Sequence, residues 1–375
     1  MSSKLNLLNF DKAALQEWFV ANNEKPFRAT QILKWIHQHG ELDIDNMTDV
    51  GKKLREKLKN NFEAVLPEVT VDNISNDGTR KWLFRLADGN CVETVYIPEK
   101  NRATLCISSQ VGCGLNCSFC ATGAQGFNRN LELHEIMAQI WLAHKLVADY
   151  KELEGKVVKP TEKIISNVVF MGMGEPLLNY GNVQKVIDLL LDDNIYNLSK
   201  YRVTLSSSGV VPILEKFCKT SDAALAISLH APNDELRNKL VPINKKYNLE
   251  YLLRICEEYC KTRDRQITFE YVMLDGINDT KECARQLVKV LKNIDCKINL
   301  IPFNSFNNTL YKRSLDENID IFSNIIHKAG YVVTVRKTRG EDIAAACGQL
   351  AGRFQDRTSR SRLLLEKYKK ESVAA

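Results

Sequence analysis

A chain of 375 residues, 44% hydrophobic and 26% charged, is long enough for a large core plus a smaller accessory unit and has the balance of a soluble globular protein. No stretch approaches the roughly 18–20 apolar residues of a membrane span, and the opening MSSKLNLLNFDKAAL lacks a basic-then-apolar signal. A cytoplasmic location without membrane association is therefore expected, where eleven cysteines argue for metal or redox chemistry rather than a disulfide scaffold. The net charge of +6 permits a polyanionic partner without demanding one.

Residues 1–65 read as short helices. Phe10, Leu15, Trp18 and Phe19 recur at helical spacing, and Pro26 suits the first turn of a second helix through Ile32, Leu33, Trp35 and Ile36. Gly40 ends that helix, and Thr48 or Asp49 is placed to cap a third containing Val50, Leu54 and Leu58. Lys25, Arg28, Lys34, Lys52, Lys53 and Arg55 suit either RNA phosphates or a solvated helix face. Residues 66–98 switch to alternating β runs around the turns Asn76-Asp77-Gly78 and Asp88-Gly89, giving a short antiparallel extension. Residues 99–340 alternate strands and helices. Strands are expected at 103–109, 164–171, 201–206, 223–229, 266–273, 297–302 and 331–336, most of them rich in Val, Ile and Leu as strands buried on both faces must be. Helices are expected at 132–148, 181–192, 249–262, 279–293 and 315–328, with a charged surface excursion over 149–163. The fold class is α/β: six βα units and a trailing strand, making an open partial (β/α)6 barrel whose functional groups should lie at the carboxyl ends of its strands. Residues 341–375 hold a glycine-flanked loop around Cys347 and a basic tail with Arg353, Arg357, Arg360 and Arg362, whose forks suit phosphate.

Chemistry concentrates in the stretch ATLCISSQVGCGLNCSFCATGAQGFNRNL, residues 103–131, where Cys113, Cys117 and Cys120 stand in a C-x3-C-x2-C spacing. Thiolates so close in sequence can converge on one soft metal centre, zinc or iron–sulfur. A structural zinc takes four protein ligands, and no fourth Cys or His follows at a matching short spacing; three ligands on a four-iron cluster leave one iron open to a small molecule. Met171-Gly172-Met173-Gly174-Glu175-Pro176 closes a strand, its glycines permitting close backbone approach and its carboxylate suited to an ammonium. Cys347 sits among small residues in Ala344-Ala345-Ala346-Cys347-Gly348, which leaves room for a bulky base and cofactor.

The triad spacing is the signature of the radical S-adenosylmethionine superfamily. Together with Cys106, the run Gly126-Phe127-Asn128-Arg129-Asn130-Leu131 and the late Ala346-Cys347-Gly348, the chain resembles the ribosomal and transfer RNA adenosine C2 methyltransferases (the RlmN group) along nearly its whole length. The resemblance implies a [4Fe-4S] cluster on Cys113, Cys117 and Cys120, and two S-adenosylmethionine molecules per turnover held by Gly174, Glu175, Ser206, Ser228, Leu229, His230 and Asn304. It implies that 1–65 is an accessory RNA-binding domain, and that the partners are 23S ribosomal RNA at adenosine 2503, transfer RNA at adenosine 37, and an electron donor such as flavodoxin. The protein is expected to act as a monomer. In the implied mechanism Cys347 takes a methyl group from one S-adenosylmethionine, and a radical generated from a second removes hydrogen from that methyl. The resulting methylene adds to the electron-poor C2 of adenine, joining protein to RNA. Glu93 matches the family's proton acceptor, and Cys106 attacks Cys347 to release the product through a transient disulfide. How the proton role divides between Glu93 and Cys106 stays open. Two rivals remain: a resistance-type methyltransferase acting at C8 of the same adenosine (the Cfr group), and a non-catalytic zinc-binding RNA adaptor.

Overall fold

A computed structural model describes residues 4–153, 164–306 and 309–352. The N-terminal helices are α1 (Lys12–Ala21), α2 (Phe27–His37) and α3 (Lys52–Asn61), and the short strand β1 (Leu5–Asn6) pairs in parallel with β2 (Phe62–Glu63) behind them. Asp11 caps α1 by accepting the Ala14 N–H at 2.8 Å. The third helix starts from Gly51 with no side-chain cap, and neither Thr48 nor Asp49 serves there. The Asp49 carboxylate accepts the Trp35 indole N–H instead, so tertiary packing has taken the residue that local pattern offered to the helix. Lys25, Lys52 and Lys53 are exposed.

The antiparallel strands β3 (Glu68–Ile74), β4 (Arg80–Arg85) and β5 (Cys91–Pro98) follow, and their turns place Gly78 and Gly89 at φ +81° and +83°, a region L side chains avoid. They do not form a sheet of their own. Strand β6 (Ala103–Cys106) pairs antiparallel with β5 on one edge and parallel with β9 (Asn167–Phe170) on the other. Between β6 and β9 lie β7 (Gln110–Gly112), the short helix α4 (Ala121–Gln125), β8 (Phe127–Asn130) and α5 (Leu133–Leu153); β7 and β8 form a hairpin that encloses the cysteine loop. The barrel continues through α6 (Tyr180–Leu191), β10 (Val203–Ser207), α7 (Val211–Thr220), β11 (Ala224–Ser228), α8 (Asp234–Leu240), α9 (Leu249–Arg263), β12 (Ile267–Met273), α10 (Lys281–Val290), β13 (Cys296–Pro302), α11 (Asp316–Lys328) and β14 (Val332–Val335). One ten-stranded sheet results, in the order β14-β13-β12-β11-β10-β9-β6-β5-β4-β3. Its seven parallel strands curl without β14 reaching β6, whose free edge the antiparallel extension occupies, so the barrel stays open.

Strand interiors such as Leu205, Leu225, Ile227, Ile298 and Leu300 are buried, as strands covered by helices require. One continuous apolar cluster runs from Leu7 to Leu350, joining the N-terminal helices to the barrel. That seam also carries the Trp141 indole N–H on the Ile36 carbonyl at 3.0 Å and a Lys12–Asp192 ion pair at 2.7 Å. Three helices were not legible in sequence. The first, α4, spans only five residues; α7 begins with Pro at its first turn, and α8 is short and buries little beyond Arg237 and Leu240. The helix expected to end at 148 runs on to Leu153, which shortens the expected surface excursion; its remainder, and the tail with Arg353, Arg357, Arg360 and Arg362, lie outside the described residues. Among the described residues no helix is long and apolar enough to cross a membrane.

Candidate active site

The carboxyl ends of the parallel strands surround a chamber of about 940 Å³, counting its open mouth. Ten of the thirteen residues singled out in the sequence line it: Cys113, Cys117, Cys120, Gly174, Glu175, Ser206, Ser228, His230, Asn304 and Cys347. They come from four strand ends and two loops, so only the barrel brings them together. Leu229, Cys106 and Glu93 do not line it.

The cysteine loop leaves β7 through Gly112 at φ +75° and turns again at Asn116 at φ +59°. It is pinned by the Cys113 N–H on the Gly126 carbonyl at 2.6 Å and the Ser118 N–H on the Leu240 carbonyl at 3.1 Å. A Cβ at Gly123 would come within 3.0 Å of the Cys117 carbonyl, so α4 packs close beneath the loop. Phe119, between two of the cysteines, meets the His230 ring edge-on at 4.5 Å and screens the loop from water. Burial pushes the Cys113 thiol well above its ordinary range and Cys117 up to about 12, with neighbouring thiols adding to both. Three such thiols ionise together only against a strongly positive centre. Among the described residues no three His, Cys, Asp or Glu side chains stand close enough to hold a single metal ion. Three soft sulfur donors along one wall of a roomy chamber fit an iron–sulfur group that occupies the space between them.

Across the chamber, Gly174 has φ +102°, and a Cβ there would lie 2.6 Å from the Gln110 Cβ. The Gln110 side-chain carbonyl accepts the Glu175 N–H at 2.8 Å. The Glu175 carboxylate accepts the Leu177 N–H at 3.1 Å and the Ser208 N–H at 2.8 Å. Burial nonetheless raises its pKa to about 7, the hydrogen bonds pulling the other way, so the carboxylate is ionised at a cost that a neighbouring cation would offset. His230 sits at φ +60° and accepts the Val272 N–H on Nδ1 at 3.0 Å. Burial, with Arg237 adding, lowers its pKa to about 3; the ring is neutral and its proton is on Nε2. Leu229 is packed in the core with its N–H on the Glu270 carbonyl and its own carbonyl on Arg237, so its backbone is already committed. Asn304 donates to the Cys347 carbonyl at 3.3 Å and accepts from the Thr338 hydroxyl at 3.2 Å.

Cys347 enters the chamber on a loop laid over the antiparallel extension. Gly348 accepts the Ala121 N–H at 2.8 Å, Leu350 accepts the Thr122 hydroxyl at 2.6 Å, and Gly340 donates to Asp77 at 3.2 Å. Glu93 belongs to this anchorage: one carboxylate oxygen accepts the Ala351 N–H at 2.8 Å and the other pairs with Lys81 at 3.1 Å. Cys106, at the end of β6, is buried; burial raises its pKa to about 12, with Cys347 adding and Arg336 opposing. Both cysteines are free, and no disulfide is present among the described residues.

Three residues that the sequence did not flag complete the site. Arg336, just beyond β14, lines the chamber, and the charge of Cys347 is the largest influence holding its pKa up. Glu270 lines it from β12; its Oε1 accepts from Asn299 at 3.0 Å while Oε2 stands 3.8 Å from Arg336 without a hydrogen bond. Arg237 lies fully buried behind the ends of β10 and β11. Glu270 is a lone charge in an apolar strand, a signal the sequence did offer, whereas Arg237 and Arg336 stand among other charged residues and read as part of a solvated helix or strand edge.

Comparison with known proteins agrees with this geometry. Residues 5–64 match the ribosomal RNA large subunit methyltransferase N-terminal domain, and residues 107–287 match the radical SAM superfamily. A crystal structure of a radical SAM methyltransferase from Sphaerobacter thermophilus is 38% identical, with a TM-score of 0.83 over 92% of this chain and 99% of that one. A domain of the pyruvate-formate lyase-activating enzyme from Bacteroides vulgatus is 14% identical with a TM-score of 0.36 over 46% of this chain and 99% of that one, a likeness too slight to carry an argument. With its matched N-terminal domain, its open barrel and a relative of that identity over almost the whole of both chains, this protein belongs to the radical SAM methyltransferases, in the RlmN group.

Proposed function

We propose that this enzyme methylates carbon C2 of an adenosine in 23S ribosomal RNA, adenosine 2503 of the peptidyl-transferase centre, and of adenosine 37 in transfer RNAs. The observation that carries the reading is the placement of Cys347 in one chamber with the cysteine triad and the Gly174–Glu175 turn, although more than 170 residues of sequence separate Cys347 from that turn. The family implies a [4Fe-4S] cluster and S-adenosylmethionine, which together would supply the methyl group and the one-electron chemistry that an electron-poor ring carbon requires.

Cys113, Cys117 and Cys120 are the residues to hold the cluster, and Glu175 the one to meet the ligand ammonium. Cys347, on a loop of small residues, accepts the methyl on its sulfur and carries it to the base. Cys106 then attacks the Cys347 sulfur as a thiolate: an S–S bond forms, and the S–C bond breaks with its electron pair left on the carbon. That carbon takes a proton to become the methyl group, the C2 proton leaves to a base, and the disulfide is reduced by an external thiol before the next turnover. Arg336 is placed to favour the Cys106 thiolate, since its charge opposes the effect of burial there. Glu93, the proton acceptor of this reading, is also tied to Lys81 and to the Ala351 N–H, so it anchors the Cys347 loop. The ends of the electron supply, a flavodoxin-like donor, and a monomeric state belong to the same reading.

The test is anaerobic purification followed by methylation of ribosomal and transfer RNA fragments. Iron and sulfide in the protein, and a product nucleoside that coelutes with 2-methyladenosine in mass spectrometry, are expected. Product matching the C8 standard turns the reading to the resistance-type reaction, and a colourless zinc protein turns it to an RNA adaptor. Replacing Cys113, Cys117 or Cys120 by Ala is expected to remove the cluster and all methylation.

A further inference from the structure

Arg237 is fully buried, and each hydrogen bond it makes among the described residues goes to a neutral oxygen. Its Nε donates to the Leu229 carbonyl at 3.0 Å, and Nη1 to the Asn244 side chain at 2.7 Å. Its Nη2 donates to two carbonyls, Ser208 at 2.8 Å and Ser228 at 3.0 Å. Asp234 reaches this network only through Asn244, at 2.7 Å. A buried guanidinium is costly, and an apolar side chain of similar volume is usually tolerated better when filling space is all that is asked. What an apolar residue does not supply is a planar fork that holds three carbonyls at once.

Those carbonyls belong to the parts of the chain that face the chamber. Ser208 follows β10, and its N–H holds the Glu175 carboxylate. Ser228 ends β11, and Leu229 precedes His230, whose ring lines the chamber. The helix that carries Arg237 is tied in turn to the cysteine loop, through the Ser118 N–H on the Leu240 carbonyl and through Leu236 and Leu240 packed with Phe119, Cys117 and Cys120. Burial lowers the Arg237 pKa to about 10, so the group stays charged at neutral pH.

We propose that Arg237 is a positioning residue of the cofactor site: it fixes the spacing of the β10 and β11 ends against the cysteine loop, and it puts a permanent positive charge on the helix whose Leu236 and Leu240 pack against that loop. This rests on the reading of the chamber as the cluster and S-adenosylmethionine site. Geometry and charge separate in two variants. Arg237→Lys keeps the charge but loses the fork; Arg237→Gln loses both.

The experiment uses the reconstituted full-length protein and reads iron content, S-adenosylmethionine affinity by calorimetry, and the cluster midpoint potential by paramagnetic-resonance titration. Both variants are expected to bind S-adenosylmethionine about tenfold more weakly or worse, the scale of losing one charged hydrogen bond in a buried site. Only Arg237→Gln should move the midpoint to more negative potential, because removing a buried positive charge makes an added electron less favourable. A merely structural role would move both variants alike and leave the potential of each intact cluster unchanged. Wild-type affinity in both variants, or an unchanged midpoint in Arg237→Gln, overturns the proposal. Should neither variant hold a full cluster, Asn244→Ala decides: it frees one arm of the fork with the charge in place, and it should weaken binding severalfold at constant potential. Unchanged affinity there overturns the proposal. A wild-type chain that takes up no iron and binds no S-adenosylmethionine overturns the reading of the chamber, and the proposal falls with it.

Discussion

Glu175 shows how burial sets the charge of a single residue. The unfolded chain loses this proton near 4.5, and the folded chain holds it to about 7. The folded state thus binds more protons between those values, and its contribution to stability is lost as pH rises through 7. Binding of an ammonium runs in the opposite sense, since it needs the ionised form. Between pH 6 and pH 7 the ionised fraction rises from about a tenth to about a half, so S-adenosylmethionine affinity should tighten roughly fivefold, a dependence that Glu175→Gln should abolish. Calorimetry across that range checks both. Gly174 makes a steric prediction. At φ +102° with Gln110 atoms 2.6–2.9 Å from an added Cβ, Gly174→Ala should cost about 1–3 kcal/mol from backbone strain alone, read as a lowered midpoint in chemical denaturation. A fully stable variant with wild-type affinity would mean that the turn adapts freely.

At the scale of elements, the Cys347 loop and the antiparallel extension form one device. Asp77 in the β3–β4 turn, Lys81 on β4 and Glu93 on β5 all grip residues 340–351. A chain that could reach the chamber only by crossing this bed needs the bed in place. Cys106→Ala leaves that anchorage untouched and removes only the second thiol. It should therefore accumulate protein joined to RNA through Cys347, a slow-migrating, nuclease-sensitive band, while Cys347→Ala and the double variant show none. Free methylated RNA from Cys106→Ala without an adduct would sink the two-cysteine reaction. Glu93→Ala should slow turnover, and if anchorage is its role it should also raise proteolytic cleavage within 340–352.

For the molecule as a whole, the helical unit is less separable than its sequence suggests. Leu7, Leu8, Phe19 and Ile36 belong to the same apolar cluster as the barrel core, and Trp141 of α5 donates its indole N–H to α2. Deleting residues 1–65 should uncover barrel surface at about 25 cal/mol per Å² of apolar area and lower cofactor cleavage together with RNA methylation. Measuring 5′-deoxyadenosine release beside methylation in the truncated protein checks this. Full cofactor cleavage with RNA turnover alone lost would show that the unit acts only on RNA.

Sequence by itself determined the elements whose signals are local: the apolar runs that became parallel strands, the glycine turns at Gly78 and Gly89, and the cysteine triad, whose members lie within eight residues. It also gave the polar letters at the strand ends, because a parallel barrel gathers that end of each strand on one face. The tertiary structure alone decided what those letters do once gathered. Leu229 turned its side chain into the core, Glu93 went to the loop anchor, and Asp49 left a helix cap for Trp35. Arg237, Glu270 and Arg336 gained their meaning only from the carbonyls, amides and charges that the fold turned toward them. Periodicity encodes which face of an element is buried; it carries no record of which distant carbonyl or thiol a buried charge will meet.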